Sequence, residues 1–301
     1  MTLALAGLAL AWVLSCAQQG QWLQAAWAGL AWVPHAPVLA LEFFWASQLA
    51  RGESARRAMG SGQVQAQPRA GQWLAAWWQE IWMGLRVFGW QQPWAYRRHA
   101  DHLPPDAIGR RGVLLVHGFY CNRGFWNTWM PRLREAGIPF MALTLGPPQA
   151  GIGEQALGID QAVRRLTELT GQAPLLVGHS MGGLVIRSWL ASQPEGTALR
   201  HEVITIGSPH HGTALAGLAR SAIEMRQGSD FLLDLMRRET AARRSRLSCY
   251  WSVCDNIVFP ASTATLPGAR NLAVRGLPHV ALAHAPVILG DVLGRTQSPS
   301  L

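Results

Sequence analysis

The sequence predicts an α/β architecture built on a mostly parallel sheet, and three observations carry that prediction. Short apolar runs at 112–116, 138–143, 175–177, 203–206, 247–254 and 271–274 recur along the chain. Helical patterns separate them, the clearest at 154–170, where Leu157, Val163, Leu166 and Leu169 share one face. Alternation of this kind implies parallel strands with helices on both faces of the sheet. The third observation is a glycine-bracketed serine, Gly178-His179-Ser180-Met181-Gly182, placed directly between a strand and a helix.

That junction is the most informative stretch of the chain. A sharp strand–turn–helix holds the serine in an unfavourable backbone conformation and presents its hydroxyl, while glycines at 178 and 182 keep side chains out of a crowded turn. Ser180 is therefore the candidate nucleophile. An acyl-transfer serine needs donors for the oxyanion: the N–H of the next residue and one from the loop after an early strand. These are Met181 and, after the strand at 112–116, Phe119 in His117-Gly118-Phe119.

The base and acid are sought downstream, in the order acid then histidine. Asp255 ends the apolar run 247–254 and opens a strand-exit loop. Asp230 and Asp234 lie in a helical pattern and are expected in solvent, and Asp291 follows the histidine. His279 follows a short strand and loop, where it can swing over a nucleophile, while His284 is expected in packing. His210 and His211 are its rivals and are expected to line the pocket, together with His117, Gly118 and His179. In the expected chemistry His279 takes the Ser180 proton, Asp255 holds the imidazole, and Phe119 and Met181 stabilise the oxyanion.

Five segments, Val116-His117-Gly118-Phe119, 177–183, 206–213, 255–260 and 276–279, occur in an order and spacing that resemble bacterial α/β-hydrolase lipases and esterases. The resemblance covers roughly residues 75–295. Ser208-Pro209-His210-His211-Gly212-Thr213 and Asp255-x-x-Val258-x-Pro260 are similar to triacylglycerol lipases in particular. The resemblance implies the α/β-hydrolase fold with a helical lid insertion, for which the Arg- and Met-rich helical stretch 214–246 is the candidate. It implies hydrolysis of carboxylic esters of lipids or other apolar acyl groups. An acyltransferase or thioesterase would use the same three side chains, and an intact Ser-Asp-His set argues against a non-enzymatic scaffold.

Length and composition set the remaining bounds. The 301 residues accommodate one such domain plus an appendage. All 26 basic residues are arginine, the net charge is +9, and the arginines are scattered with no nucleic-acid motif. A basic face toward anionic phospholipid is the better use of that charge, and no nucleic-acid partner is expected. No metal-ligand spacing appears, so neither metal nor cofactor is expected, and Cys16, Cys121, Cys249 and Cys254 are expected as free thiols, with at most one bridge, through Cys121.

The first fifty residues differ in material. Residues 1–45 carry Glu42 as their sole acidic residue and no Arg or Lys, in two apolar runs split near residues 18–21. Residues 1–50 are expected to form a membrane anchor of one or two helices. A secretory signal lacks its basic n-region here, and a helical cap on the enzyme is the other alternative. Arg51, Arg56 and Arg57 place the catalytic domain on the cytoplasmic side of a bacterial inner membrane. Residues 51–72 read as a flexible linker and 73–301 as the hydrolase domain, opening on a Trp-rich helix at 73–88. Eleven of the fifteen tryptophans precede residue 100, an enrichment expected at a membrane interface.

Overall fold

A computed structural model describes residue 18 and residues 35–58, 67–147 and 150–297 of the chain, with the side chains of 53–58 excepted. Six strands form one sheet: β1 (Val113–Val116), β2 (Phe140–Ala142), β3 (Leu175–His179), β4 (Val203–Ile206), β5 (Leu247–Trp251) and β6 (Arg270–Ala273). Their order is β2-β1-β3-β4-β5-β6 and every pairing is parallel, so the expected α/β class holds. The helices that matter to the site are α1 (Ala36–Ala58), α2 (Ala70–Gly84), α3 (Met130–Glu135), α4 (Leu157–Thr170), α5 (Met181–Ser192), α6 (Asp230–Arg238), α7 (Ala241–Ser245), α8 (His279–Ala283) and α9 (Pro286–Gln297).

The strands are short and apolar because both faces are covered. Successive side chains point to opposite faces. Leu114, Val116 and Leu176 pack with α4 and α5, whereas Val113, Leu115, Leu175 and Val177 pack with α3 and α9. The register sets Val116 beside Gly178 and Gly178 beside Thr205, which brings the carboxyl ends of β1, β3 and β4 level. The segments leaving the carboxyl ends of β1, β3, β5 and β6 carry the expected oxyanion donors and catalytic side chains, the usual location for chemistry in a parallel sheet.

Two expectations about organisation are corrected. The stretch 214–246 is not the cover of the site. It forms two 3-10 segments, Ala214–Leu218 and Arg220–Met225, followed by α6 and α7. Its apolar side chains Ala216, Ala222, Met225 and Leu232 belong to the core on α5. A buried ion pair fixes it there, with Arg187 of α5 donating to Glu239 through Nε at 2.8 Å and Nη2 at 2.6 Å. Amphipathic spacing marks such a stretch as helical without saying which surface its apolar face meets.

The second correction concerns the N-terminus. Residues 1–17 and 19–34 of the expected anchor lie outside the described residues. Residues 36–50 begin α1, which passes the expected linker start at residue 51 and runs to Ala58; α2 begins at Ala70, inside the expected linker. No helix among the described residues is long and apolar enough to cross a membrane. Instead α1 and α2 are knit together and onto the domain. Trp77 Nε1 donates to the Ala36 carbonyl at 3.0 Å, Phe43 meets Trp73 edge-on at 6.2 Å, and both helices contact Cys254. A π-helical segment, Leu85–Gln91, continues α2 toward the loop after β1. Cys121, Cys249 and Cys254 are free thiols, and Cys16 is outside the described residues.

Candidate active site

Ser180 sits between β3 and α5 with φ 54° and ψ −127°, a conformation that side chains rarely adopt. Its N–H is held by the Ile206 carbonyl at 2.9 Å. The flanking glycines permit the turn. A Cβ on Gly182 would lie 2.5 Å from the carbonyl oxygens of both Val116 and His117, and one on Gly178 would lie 2.7 Å from the Gly183 nitrogen. Met181, as the first helical residue, has an amide without an intrahelical acceptor. Phe119 follows β1 on the other side of the same close approach. Gly118, Phe119, His179, Ser180 and His279 all line one cavity of about 680 Å3.

Asp255 is delivered by the loop after β5. Its Oδ1 accepts the amides of Ile257 at 2.9 Å and Val258 at 2.7 Å, which leaves Oδ2 for His279 Nδ1 at 2.9 Å. Both side chains are almost fully buried. With Nδ1–H donated to Asp255, Nε2 is the nitrogen left to accept a proton. Burial works against a charged ring, but the charge and hydrogen bond of Asp255, with Glu80 and Glu42 behind it, outweigh burial and raise the His279 pKa.

His179 stacks on Phe125 at 4.4 Å and sends Nε2 toward the His279 carbonyl at 3.3 Å. Burial, followed by the charge of His279, holds its pKa well below the ordinary value, so it is a neutral donor.

Three histidines expected in the pocket lie elsewhere. His117 accepts the Leu145 amide at Nε2, 3.0 Å, and donates through Nδ1 to the Gly118 carbonyl at 2.8 Å; burial lowers its pKa to about 4. It shapes the loop beneath Phe119. His210 is fully buried, with Nε2 on Thr205 Oγ1 at 2.9 Å and Nδ1 beside Arg187 Nη1 at 3.2 Å. His211 does not reach the cavity lining. Their proximity in sequence to the site motifs says nothing of side-chain direction, and the rings of His117 and His210 turn toward backbone or core polar groups that burial would otherwise strand. His284 is half-buried, with Nδ1 2.7 Å from Thr128 Oγ1.

The cavity is covered by N-terminal helices, for which the sequence offered a helical cap only as an alternative to a membrane anchor. Its outer wall is α1, α2 and the π-helical segment, through His35, Val38, Leu39, Leu85 and Phe88; of the residues 214–246, Leu215 alone contributes. Sequence reasoning missed Glu42, Glu80 and Asn256. Asn256 Oδ1 accepts the His279 amide at 3.2 Å, and its Nδ2 donates to Glu42 at 2.8 Å. The available signal was Glu42 itself, a single carboxylate in an otherwise uncharged apolar stretch.

Comparison with known proteins places this geometry. Residues 113–295 match the model of the alpha/beta hydrolase family, starting at the first residue of β1 and leaving α1 and α2 outside. No curated protein sequence matches. Among solved structures, the mature form of the Bacillus licheniformis lipase BlEst2 superposes with a TM-score of 0.53 at 19% identity, over 64% of this chain and 95% of that one. Its propeptide form gives 0.52 at 19% identity, over 67% of this chain and 53% of that one. Aspergillus fumigatus lipase B gives 0.48 at 21% identity, over 60% and 49%. At 19% identity the two Bacillus licheniformis structures speak for the fold alone, and the family match spans more than half of the sequence. The chain belongs to the alpha/beta hydrolase family.

Proposed function

We propose that this protein is a serine hydrolase that cleaves carboxylic esters of lipids or other apolar acyl groups. The observation that carries the reading is the Asp255–His279 pair, buried and 2.9 Å apart, in the same cavity as a serine on a strained elbow. In this reading Ser180 Oγ attacks the ester carbonyl carbon as its proton passes to His279 Nε2. The amides of Phe119 and Met181 receive the oxyanion, a contribution of roughly 3–4 kcal/mol per donor. The C–O bond to the alcohol breaks, His279 returns the proton to the departing oxygen, and an acyl-serine remains. Water, deprotonated by His279, attacks that ester, and Ser180 leaves with the proton as the free acid is released.

The substrate class follows from the cavity. Val38, Leu39, Leu85, Phe88, Leu215 and Ile257 are apolar walls, and a cavity of about 680 Å3 suits a hydrocarbon chain better than a charged metabolite. The outer surface of the cover supports the same class. Leu41, Phe44 and Trp45 on α1, and Leu74, Trp78 and Trp82 on α2, are exposed at helical spacing. Two such stripes suit shallow insertion into a phospholipid surface.

The test uses p-nitrophenyl esters of increasing chain length and a fluorophosphonate probe on the full chain. Wild type hydrolyses the esters with release of free acid, and the probe labels Ser180. Ser180→Ala loses about 10⁴-fold or more of kcat and all labelling. Label on another residue, or activity in the alanine variant, overturns the assignment. Acyl transfer to an added alcohol in preference to water would move the protein to the acyltransferase reading.

A further inference from the structure

Outside the triad, the most deeply placed carboxylate near the site among the described residues is Glu80. It lies on α2, outside the matched hydrolase domain, and is 3% exposed. Its two oxygens accept the amides of Val280 at 2.8 Å and Ala281 at 3.3 Å, the two residues that follow His279. The first turn of α8 has amides with no intrahelical acceptor, so a carboxylate there is favourable in both hydrogen bonding and charge. The third amide of that turn, His279 N–H, is taken by Asn256, which is held in turn by Glu42 of α1. Three consecutive amides at the base are thus fixed by side chains that α1 and α2 carry or orient.

We infer that Glu80, seconded by Glu42, is a positioning residue for His279, so that the helices preceding the hydrolase domain are part of its acid–base machinery. The inference rests on His279 being the base. Glu80 fixes the backbone at the root of the ring, and both carboxylates place negative charge where an imidazolium forms during attack. Burial raises the pKa of each, that of Glu80 to about 7, so above neutral pH Glu80 is ionised beside the ring. The groups facing His279 are Asp255 from the loop after β5, Glu42 from α1, Glu80 from α2 and His179 from the end of β3, with the neutral Cys254 thiol behind Asp255. Asp255 is the direct partner, and the two glutamates add to it.

The direction of the pH effect follows. A base works when neutral, so kcat/KM falls as pH drops through the His279 pKa. The glutamates hold a proton on His279 to higher pH. A neutral glutamine in place of either lowers that pKa and carries activity to lower pH.

The experiment is a pH profile of ester hydrolysis by full-length wild type, Glu80→Gln, Glu80→Asp and Glu42→Gln, with circular dichroism as the folding check. Glu80→Gln can accept only one of the two amides. It is expected to lose about tenfold in kcat with KM within about twofold, since a displaced catalytic group costs turnover and spares binding. Its acid limb moves to lower pH. Glu80→Asp keeps the charge and restores the position of the limb. Glu42→Gln still accepts from Asn256, so it tests charge alone, with a smaller shift of the limb in the same direction. Wild-type limbs and kcat in both glutamine variants overturn the inference. If Glu80→Gln fails to fold, Glu42→Gln decides: an unshifted limb overturns it. His279→Ala run alongside separates the two levels, because activity retained there defeats the assignment of the base itself.

Discussion

Gly182→Ala probes the tightest backbone approach in the site. The added Cβ would meet the Val116 and His117 carbonyl oxygens at 2.5 Å on the β1 side, with α5 behind it. Neither oxygen belongs to a flexible side chain, so relief requires the end of β1 and the start of α5 to separate by roughly 0.7 Å or more to reach ordinary van der Waals distance. The two amides proposed as oxyanion donors sit on opposite sides of this approach, Phe119 beyond β1 and Met181 on α5. Moving the elements apart moves the amides apart by a similar amount. A misplacement near 1 Å costs on the order of 10²-fold in rate, equivalent to about 2.7 kcal/mol. Overpacking adds about 1–3 kcal/mol of lost stability. Gly158→Ala on α4, where nothing lies within 4 Å of the new Cβ, is the control. Steady-state hydrolysis of a p-nitrophenyl ester gives kcat, and a thermal melt gives stability. A kcat within threefold of wild type in Gly182→Ala would refute the link between this contact and the oxyanion donors.

Three further outcomes are expected. Asp255→Asn leaves the geometry but disfavours the productive tautomer of His279, so kcat falls by about 10⁴-fold; near-normal turnover would move the acid elsewhere. Glu239→Gln leaves the fully buried Arg187 without its charge partner and costs roughly 3–5 kcal/mol of stability by urea unfolding, where a change below about 1 kcal/mol would show that the pair does not fix the 230–245 segment. A Trp78→Ser/Trp82→Ser double variant weakens co-flotation with anionic phospholipid vesicles while leaving hydrolysis of a soluble short-chain ester intact; equal flotation of variant and wild type would remove α2 from the proposed membrane surface.

What could be read from the sequence has a physical pattern. Strands buried on both faces are continuous apolar runs, so β1, β3, β4 and β5 announce themselves. β6 is an edge strand with exposed Arg270 and Asn271, and its apolar signal is correspondingly short. Ser180, Asp255 and His279 stand out as candidates because each follows a strand, and a parallel sheet gathers those ends. Side-chain direction was not legible. His117 and His210 lie within a few residues of the site motifs, yet Leu145, Thr205 and Arg187, up to 28 residues away, decide where their rings point. The Arg187–Glu239 pair joins positions 52 apart, and no local pattern marks it.

The N-terminal helices show why composition alone misleads at an enzyme's cover. An apolar stretch without charges satisfies a lipid core and a protein cavity equally, because both exclude water from the same side chains. α1 is used both ways: Phe43 and Ala46 are buried against the domain, while Leu41, Phe44 and Trp45 face outward. A single ionisable residue separates the two readings. A lone carboxylate at bilayer depth is costly and wants a polar partner; Glu42 finds Asn256, beside the acid of the triad. Glu80 repeats the arrangement one helix later, on the two amides that follow the base. Glu42 and Glu80 therefore point inward to the site, while Trp45, Trp78 and Trp82 on the same two helices point out.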